Sequence, residues 1–123
     1  MTDQQDGTTS ELQSIVRFKF HEGTLDEFKR LSAECMAIVR SQDPGTLQYD
    51  TFFNADESEC IVLERFRDAQ ALIEHGEHLA HLMDALIATG DVHGELLGDP
   101  GPELRANIAD DGPVQLFTLY QAL

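Results

Sequence analysis

The stretch Gln13-Ser14-Ile15-Val16-Arg17-Phe18-Lys19-Phe20-His21, followed by Gly23-Thr24 and the run from Leu25 to Gln42, decides the fold. Between residues 13 and 21 the side chains alternate, with Val16, Phe18 and Phe20 on one face and Arg17, Lys19 and His21 on the other. A period of two, rich in branched and aromatic residues, predicts a strand. Directly afterwards the period changes. Leu25, Phe28, Leu31, Cys35 and Ile38 recur every three or four residues, which predicts a helix with one apolar face. Thr24 and Glu27 have the spacing of a capping box at its start. Asp43-Pro44-Gly45 ends it, because proline disfavours helical geometry in the residue before it.

Working outward, Leu47 to Asn54 alternates again, with Leu47, Tyr49, Thr51 and Phe53 on one face. The turn-rich residues Asn54 to Ser58 lead to a third alternating run, Glu59 to Phe66, and the short polar link predicts an antiparallel hairpin. Asp68 is placed to cap a second helix running to about Thr89, with Gly90 as its stop and Leu72, Gly76, Leu79, Met83 and Leu86 as its stripe. Asp91 to Gly101 is punctuated by glycine and reads as a loop. A short helix from Pro102 to about Ala109 and a last strand from Val114 to Ala122 complete the chain, Leu116 and Tyr120 sharing a side of that strand.

The order strand, helix, strand, strand, helix, strand is the split βαβ, or ferredoxin-like, α+β pattern: one antiparallel sheet with its helices on one face. The strands carry apolar residues on both sides, Ile61 and Leu63 against Val62, and Phe117 and Leu119 against Leu116. A sheet wetted on one side alternates more cleanly, so both faces are expected to be covered. Too little chain remains to do this, and a second copy is the simplest cover. A two-fold homodimer is therefore expected.

At 123 residues, 41% of them hydrophobic, the chain fits one domain, expected over residues 12–123 behind a polar, disordered tail at 1–11. Eight basic against 23 acidic residues give a net charge of −15. So negative a surface repels phosphate backbones and anionic lipid, which argues against nucleic-acid and membrane roles. Beyond Arg67 the sole basic side chain is Arg105, against ten carboxylates. The acidic start is unlike a secretion signal and no apolar run is long enough for a membrane helix, so the expected location is the cytoplasm. Cys35 and Cys60, with no metal-binding or redox spacing, are expected as buried free thiols.

Two motifs carry a family resemblance. Pro44-Gly45-Thr46-Leu47-Gln48-Tyr49-Asp50 resembles the start of the second strand in the antibiotic biosynthesis monooxygenase family. Glu64-Arg65-Phe66-Arg67-Asp68-Ala69-Gln70-Ala71-Leu72 followed by His75 is similar to that family's strand-to-helix signature. With the first strand and helix, the resemblance spans residues 13 to 123. It implies a dimeric α+β barrel of two ferredoxin-like sheets and the oxygenation of quinols or anthrones without metal or flavin. No cofactor is expected on this reading.

Such chemistry needs a base near neutral pKa, a dry cavity, and donors for the substrate's oxygens. Histidine is the natural base, and the resemblance favours His75. His75, His78 and His81 lie three apart on one helix, so one or two of them can face a pocket while the others are solvated. They lack the i, i+4 spacing of zinc helices, and no metal site is expected. Glu64 shares a face with Val62 and Phe66, and as a buried carboxylate it requires a partner; His75 is the candidate, either as a tuned base or as a plain strand–helix hydrogen bond. Tyr49 is either core or a donor at a substrate oxygen. Phe20, Phe53, His78 and Met83 are candidates to line the pocket. The favoured reading is a cofactor-independent oxygenase for a small aromatic or quinol-type substrate. The alternatives are a non-catalytic dimeric small-molecule-binding module and a haem-binding or haem-degrading relative, the latter disfavoured because the chain has no tryptophan.

Overall fold

The computed structural model describes residues 11–123, so the expected tail, apart from Glu11, lies outside the described residues. The period-two segment forms β1, Leu12–Phe20, and the helical run forms α1, Leu25–Gln42. β2, Thr46–Phe53, and β3, Glu59–Phe66, form the hairpin, followed by α2, Ala69–Ile87. Then come β4, Gly90–Leu97, a short α3, Gly101–Arg105, and β5, Val114–Phe117. The sheet order is β2-β3-β1-β4-β5. β1 is central and antiparallel to both β3 and β4, while β5 lies parallel to β4 at the edge.

The fold class is the α+β ferredoxin-like arrangement, but its fourth strand is not the one expected. Residues 90–97, read as a glycine-punctuated loop, pair with β1 along their whole length, Val92 opposite Phe18 and Gly94 opposite Val16. Gly90 does not stop the preceding helix; it opens the strand. A Cβ there would lie 2.3 Å from the Lys19 carbonyl oxygen, so only glycine allows β4 to start so close to β1. The run 114–122 contributes only the four-residue β5, and Tyr120, expected on that strand, is 95% exposed beyond it.

Helix details also differ. Thr24 makes no side-chain cap; its hydroxyl donates to the carbonyls of His21 and Thr89, and Glu27 pairs with Arg30 instead. Asp68 caps α2 as expected, accepting from the Ala71 N–H at 2.8 Å. The buried stripe of α2 is Ala71, His75, Leu79, Leu82 and Leu86, with Gly76 and Met83 exposed. The expected positions Leu72, Gly76 and Met83 thus give way to Ala71, His75 and Leu82, a stripe rotated by about one residue. A register shift between Thr46 and Gln48 moves Leu47 off the face of Tyr49 and leaves it exposed.

The core lies between sheet and helices, built on Phe18, Phe28, Leu31, Cys35, Val39, Cys60, Val62, Leu79, Leu82 and Leu86. Both cysteines are buried free thiols, and burial pushes Cys60 up to about 11. The opposite sheet face carries Ile15, Ile61, Leu63 and Phe52, with no layer of described residues over it. No helix among the described residues is long and apolar enough to cross a membrane.

Candidate functional site: a buried carboxylate–histidine cluster

The chain turns sharply where α1 ends. Asp43, before Pro44, leaves helical geometry at φ −115°, ψ 68°. Gly45 then brings this turn against the start of α2: its carbonyl accepts from the Arg67 N–H at 2.8 Å, and a Cβ on it would lie 2.5 Å from Ala71 Cβ. The side chain of Asp43, 2% exposed, is thereby turned toward α2.

There it meets two histidines one helical turn apart. His75 Nδ1 lies 2.8 Å from Asp43 Oδ2, and His78 Nδ1 is hydrogen-bonded to Asp43 Oδ1. On its other side His75 Nε2 is 3.6 Å from Glu64 Oε2. Glu64 reaches it because β3 points Val62, Glu64 and Phe66 toward the helices, and Tyr49 stands opposite Glu64 on β2. The rings of Phe66 and Tyr49 enclose the imidazole at centroid distances of 5.0 and 5.5 Å.

His75 is 6% exposed. Burial alone lowers its pKa, but the carboxylates of Glu64 and Asp43 outweigh this and raise it above the ordinary histidine value. Burial, reinforced by the Cys35 thiol and by Glu64, pushes Tyr49 well above the usual phenol range and keeps it a neutral donor. Burial likewise raises Cys35.

Of the residues singled out from sequence, Glu64, Tyr49, His75 and His78 come together. Phe20 and Phe53 do not. They pack with Phe28, at 4.8 and 6.2 Å, near the far end of the sheet, Phe53 being four residues, or about 13 Å, along β2 from Tyr49. Met83 points outward from α2, and His81 is exposed. The residue that sequence reading missed is Asp43, taken only as part of a turn. An acidic residue at a helix C-terminus opposes the helix dipole, and that was the available signal that it had a partner. No three His, Cys, Asp or Glu side chains among the described residues are arranged to hold a metal ion. Two open clefts, of about 1000 and 330 Å³, lie beside the C-terminal segment around Arg105, and His75 lines neither.

The family model for antibiotic biosynthesis monooxygenases matches residues 13–83, more than half of the chain. The chain belongs to that family, in agreement with its ferredoxin-like sheet and its strand-to-helix motif. No curated protein matches the sequence. Among solved structures, MupZ from Pseudomonas fluorescens is similar at a TM-score of 0.78 and 26% identity, over 94% of this chain and 89% of that one. A match of that extent includes most of residues 98–123. Rv0793 from Mycobacterium tuberculosis has a TM-score of 0.66 and 23% identity, over 73% of this chain and 95% of that one. A variant of SnoaB from Streptomyces nogalater, a cofactor-independent oxygenase, has a TM-score of 0.61 and 21% identity, over 76% and 96%.

Proposed function

We propose that this protein is a cofactor-independent oxygenase for a small aromatic or quinol-type substrate, with His75 and Glu64 in its acid–base centre. The observation that carries this reading is the buried row Asp43–His75–Glu64, an imidazole held between two carboxylates away from water at 2.8 and 3.6 Å. Oxygenation without metal or flavin begins when the substrate loses a hydroxyl or carbon-bound proton, because its anion supplies the electrons to dioxygen. One oxygen atom enters the substrate, the other leaves as water, and both reducing electrons come from the substrate. Tyr49, kept neutral, serves as a donor to a substrate oxygen. The family membership and the fold shared with SnoaB support the same chemistry.

The test is oxygen uptake with a hydroxylated naphthalene or anthrone in chelator-treated, flavin-free buffer. Wild-type protein is expected to exceed spontaneous autoxidation, and His75→Ala to lower kcat by about a hundredfold or more. Uptake no faster than autoxidation overturns the reading. A second reading, a non-catalytic small-molecule-binding module, is favoured by one observation: the two open clefts lie beside the C-terminal segment around Arg105, away from the His75 row. Under it, a ligand is retained in native mass spectrometry while no substrate turns over.

We also infer that two copies pack through their open sheet faces. Ile15, Ile61 and Leu63 form an apolar strip there, flanked by Phe52 at 52% exposed and by the Arg17–Glu95 and Arg65–Glu11 pairs at 3.6 and 3.3 Å. A strip of this kind, rimmed by charge pairs, is suited to burial against an identical surface.

A further inference from the structure

A base needs a lone pair that the substrate can reach, and His75 lacks one. Its two ring nitrogens face Asp43 and Glu64, and the ring is enclosed by Phe66 and Tyr49. Three residues further along α2, His78 meets the same Asp43 carboxylate from the other side. An ionised carboxylate only accepts hydrogen bonds, so both imidazoles present N–H at Nδ1 to it. For His78 this leaves the lone pair on Nε2. That nitrogen has no partner among the described residues, and the side chain is 30% exposed. His78 is thus held in one tautomer and one orientation, with its basic atom turned away from the buried row.

We propose that His78, oriented by Asp43, is the base that takes the substrate's hydroxyl proton, and that His75 acts behind it as a positioning residue. This rests on the oxygenase reading above. In the step, the substrate O–H bond breaks, an N–H bond forms at His78 Nε2, and the electron pair stays on the substrate oxygen. The resulting imidazolium lies against the Asp43 carboxylate, which stabilises the charge as it develops. After dioxygen has added to the substrate carbon, the same proton passes from His78 to the outer peroxide oxygen. The O–O bond breaks as the hydrogen on that carbon is lost, both hydrogens leave with that oxygen as water, and His78 is returned to its neutral form.

Asp43 fixes His78 because it accepts from both rings at once. Its own place is fixed by the α1 terminus, by His75 and by the Thr46 hydroxyl at 3.5 Å from Oδ2, so loss of His75 removes its nearest hold on that oxygen. The groups facing this pair of histidines are Asp43 from the turn after α1, Glu64 from β3 and Tyr49 from β2, with Cys35 of α1 behind Tyr49.

Two measurements test the proposal on the intact chain. The first is oxygen uptake by His78→Gln, a substitution at a partly exposed position, with circular dichroism to verify the fold. The expected result is a fall in kcat of about a hundredfold with KM within about threefold of wild type. The second is the His78 tautomer, read from ring nitrogen chemical shifts at a pH where the ring is neutral. The wild type is expected to carry its proton on Nδ1 and Asp43→Asn to lose that preference; the tautomer reports the orienting bond, and the fall in kcat separates a catalytic from a merely structural use of it. Wild-type protein that consumes oxygen while His78→Gln stays within about fivefold of it overturns this proposal and leaves the oxygenase reading standing. A wild-type His78 with its proton on Nε2 also overturns it. Wild-type protein that consumes no oxygen removes the oxygenase reading and this proposal with it.

Discussion

At the scale of single residues, the protein places one imidazole between two carboxylates inside its core. Desolvation opposes charge on His75, and the proximity of Glu64 and Asp43 more than restores it. The consequence for stability has a definite sign. An unfolded histidine releases its proton near pH 6.5, whereas folded His75 holds it to higher pH. The stabilising contribution is therefore fully present below about pH 6.5 and declines as pH rises through the folded value. Thermal melts of wild type and His75→Gln are expected to differ most on the acidic side of that window and to converge above it. A difference that widens with rising pH contradicts this. Glu64 and His75 were legible in the sequence because alternation along β3 put the carboxylate on the inner face, and the motif put the histidine on the helix. Asp43 was not, because its role depends on a turn that brings residues 32 and 35 positions apart into contact.

At the scale of elements, two glycines at helix junctions and faces behave in opposite ways. Gly76 lies on the exposed side of α2, where an added Cβ meets nothing within 4 Å. Gly76→Ala is expected to stabilise the protein by about 0.5–1 kcal/mol through helix propensity and a less flexible unfolded chain. Gly45 is packed against Ala71, and Gly45→Ala is expected to destabilise by about 1–3 kcal/mol through overpacking. Denaturant midpoints of the two variants on either side of wild type would bear this out; a Gly76→Ala protein less stable than wild type would refute it. β1, α1, β2 and β3 follow from the periods of their sequences, because each buries a regular face. β4 does not, since three glycines at positions 90, 94 and 98 mimic a loop, and only pairing with β1 along its whole length makes it a strand. The N-terminus of α1 failed for a related reason: Thr24 bonds to Thr89, a residue of the α2–β4 junction that local reading does not bring near.

At the scale of the whole molecule, the sheet buries one face under its helices and leaves the other without a cover among the described residues. Leu63→Glu puts a charge at the centre of the apolar strip, and if that strip joins two copies the charge separates them. Sedimentation at micromolar concentration is expected to give a dimer for wild type and a single subunit for the variant, with the fold retained. A wild-type protein that sediments as one subunit would end the dimer proposal. By itself the sequence determined the fold class, the hairpin, the capped second helix, the acidic surface and the inward direction of Glu64. These follow from local periods, end signals and charge counts, which neighbouring residues set among themselves. Tertiary structure alone decided that residues 90–97 are a strand, that Leu82 rather than Met83 faces the core, and that Asp43 joins His75 and His78. Each of these depends on what a distant segment presents across the gap, and no local pattern encodes the shape of a surface that forms only when the chain has folded.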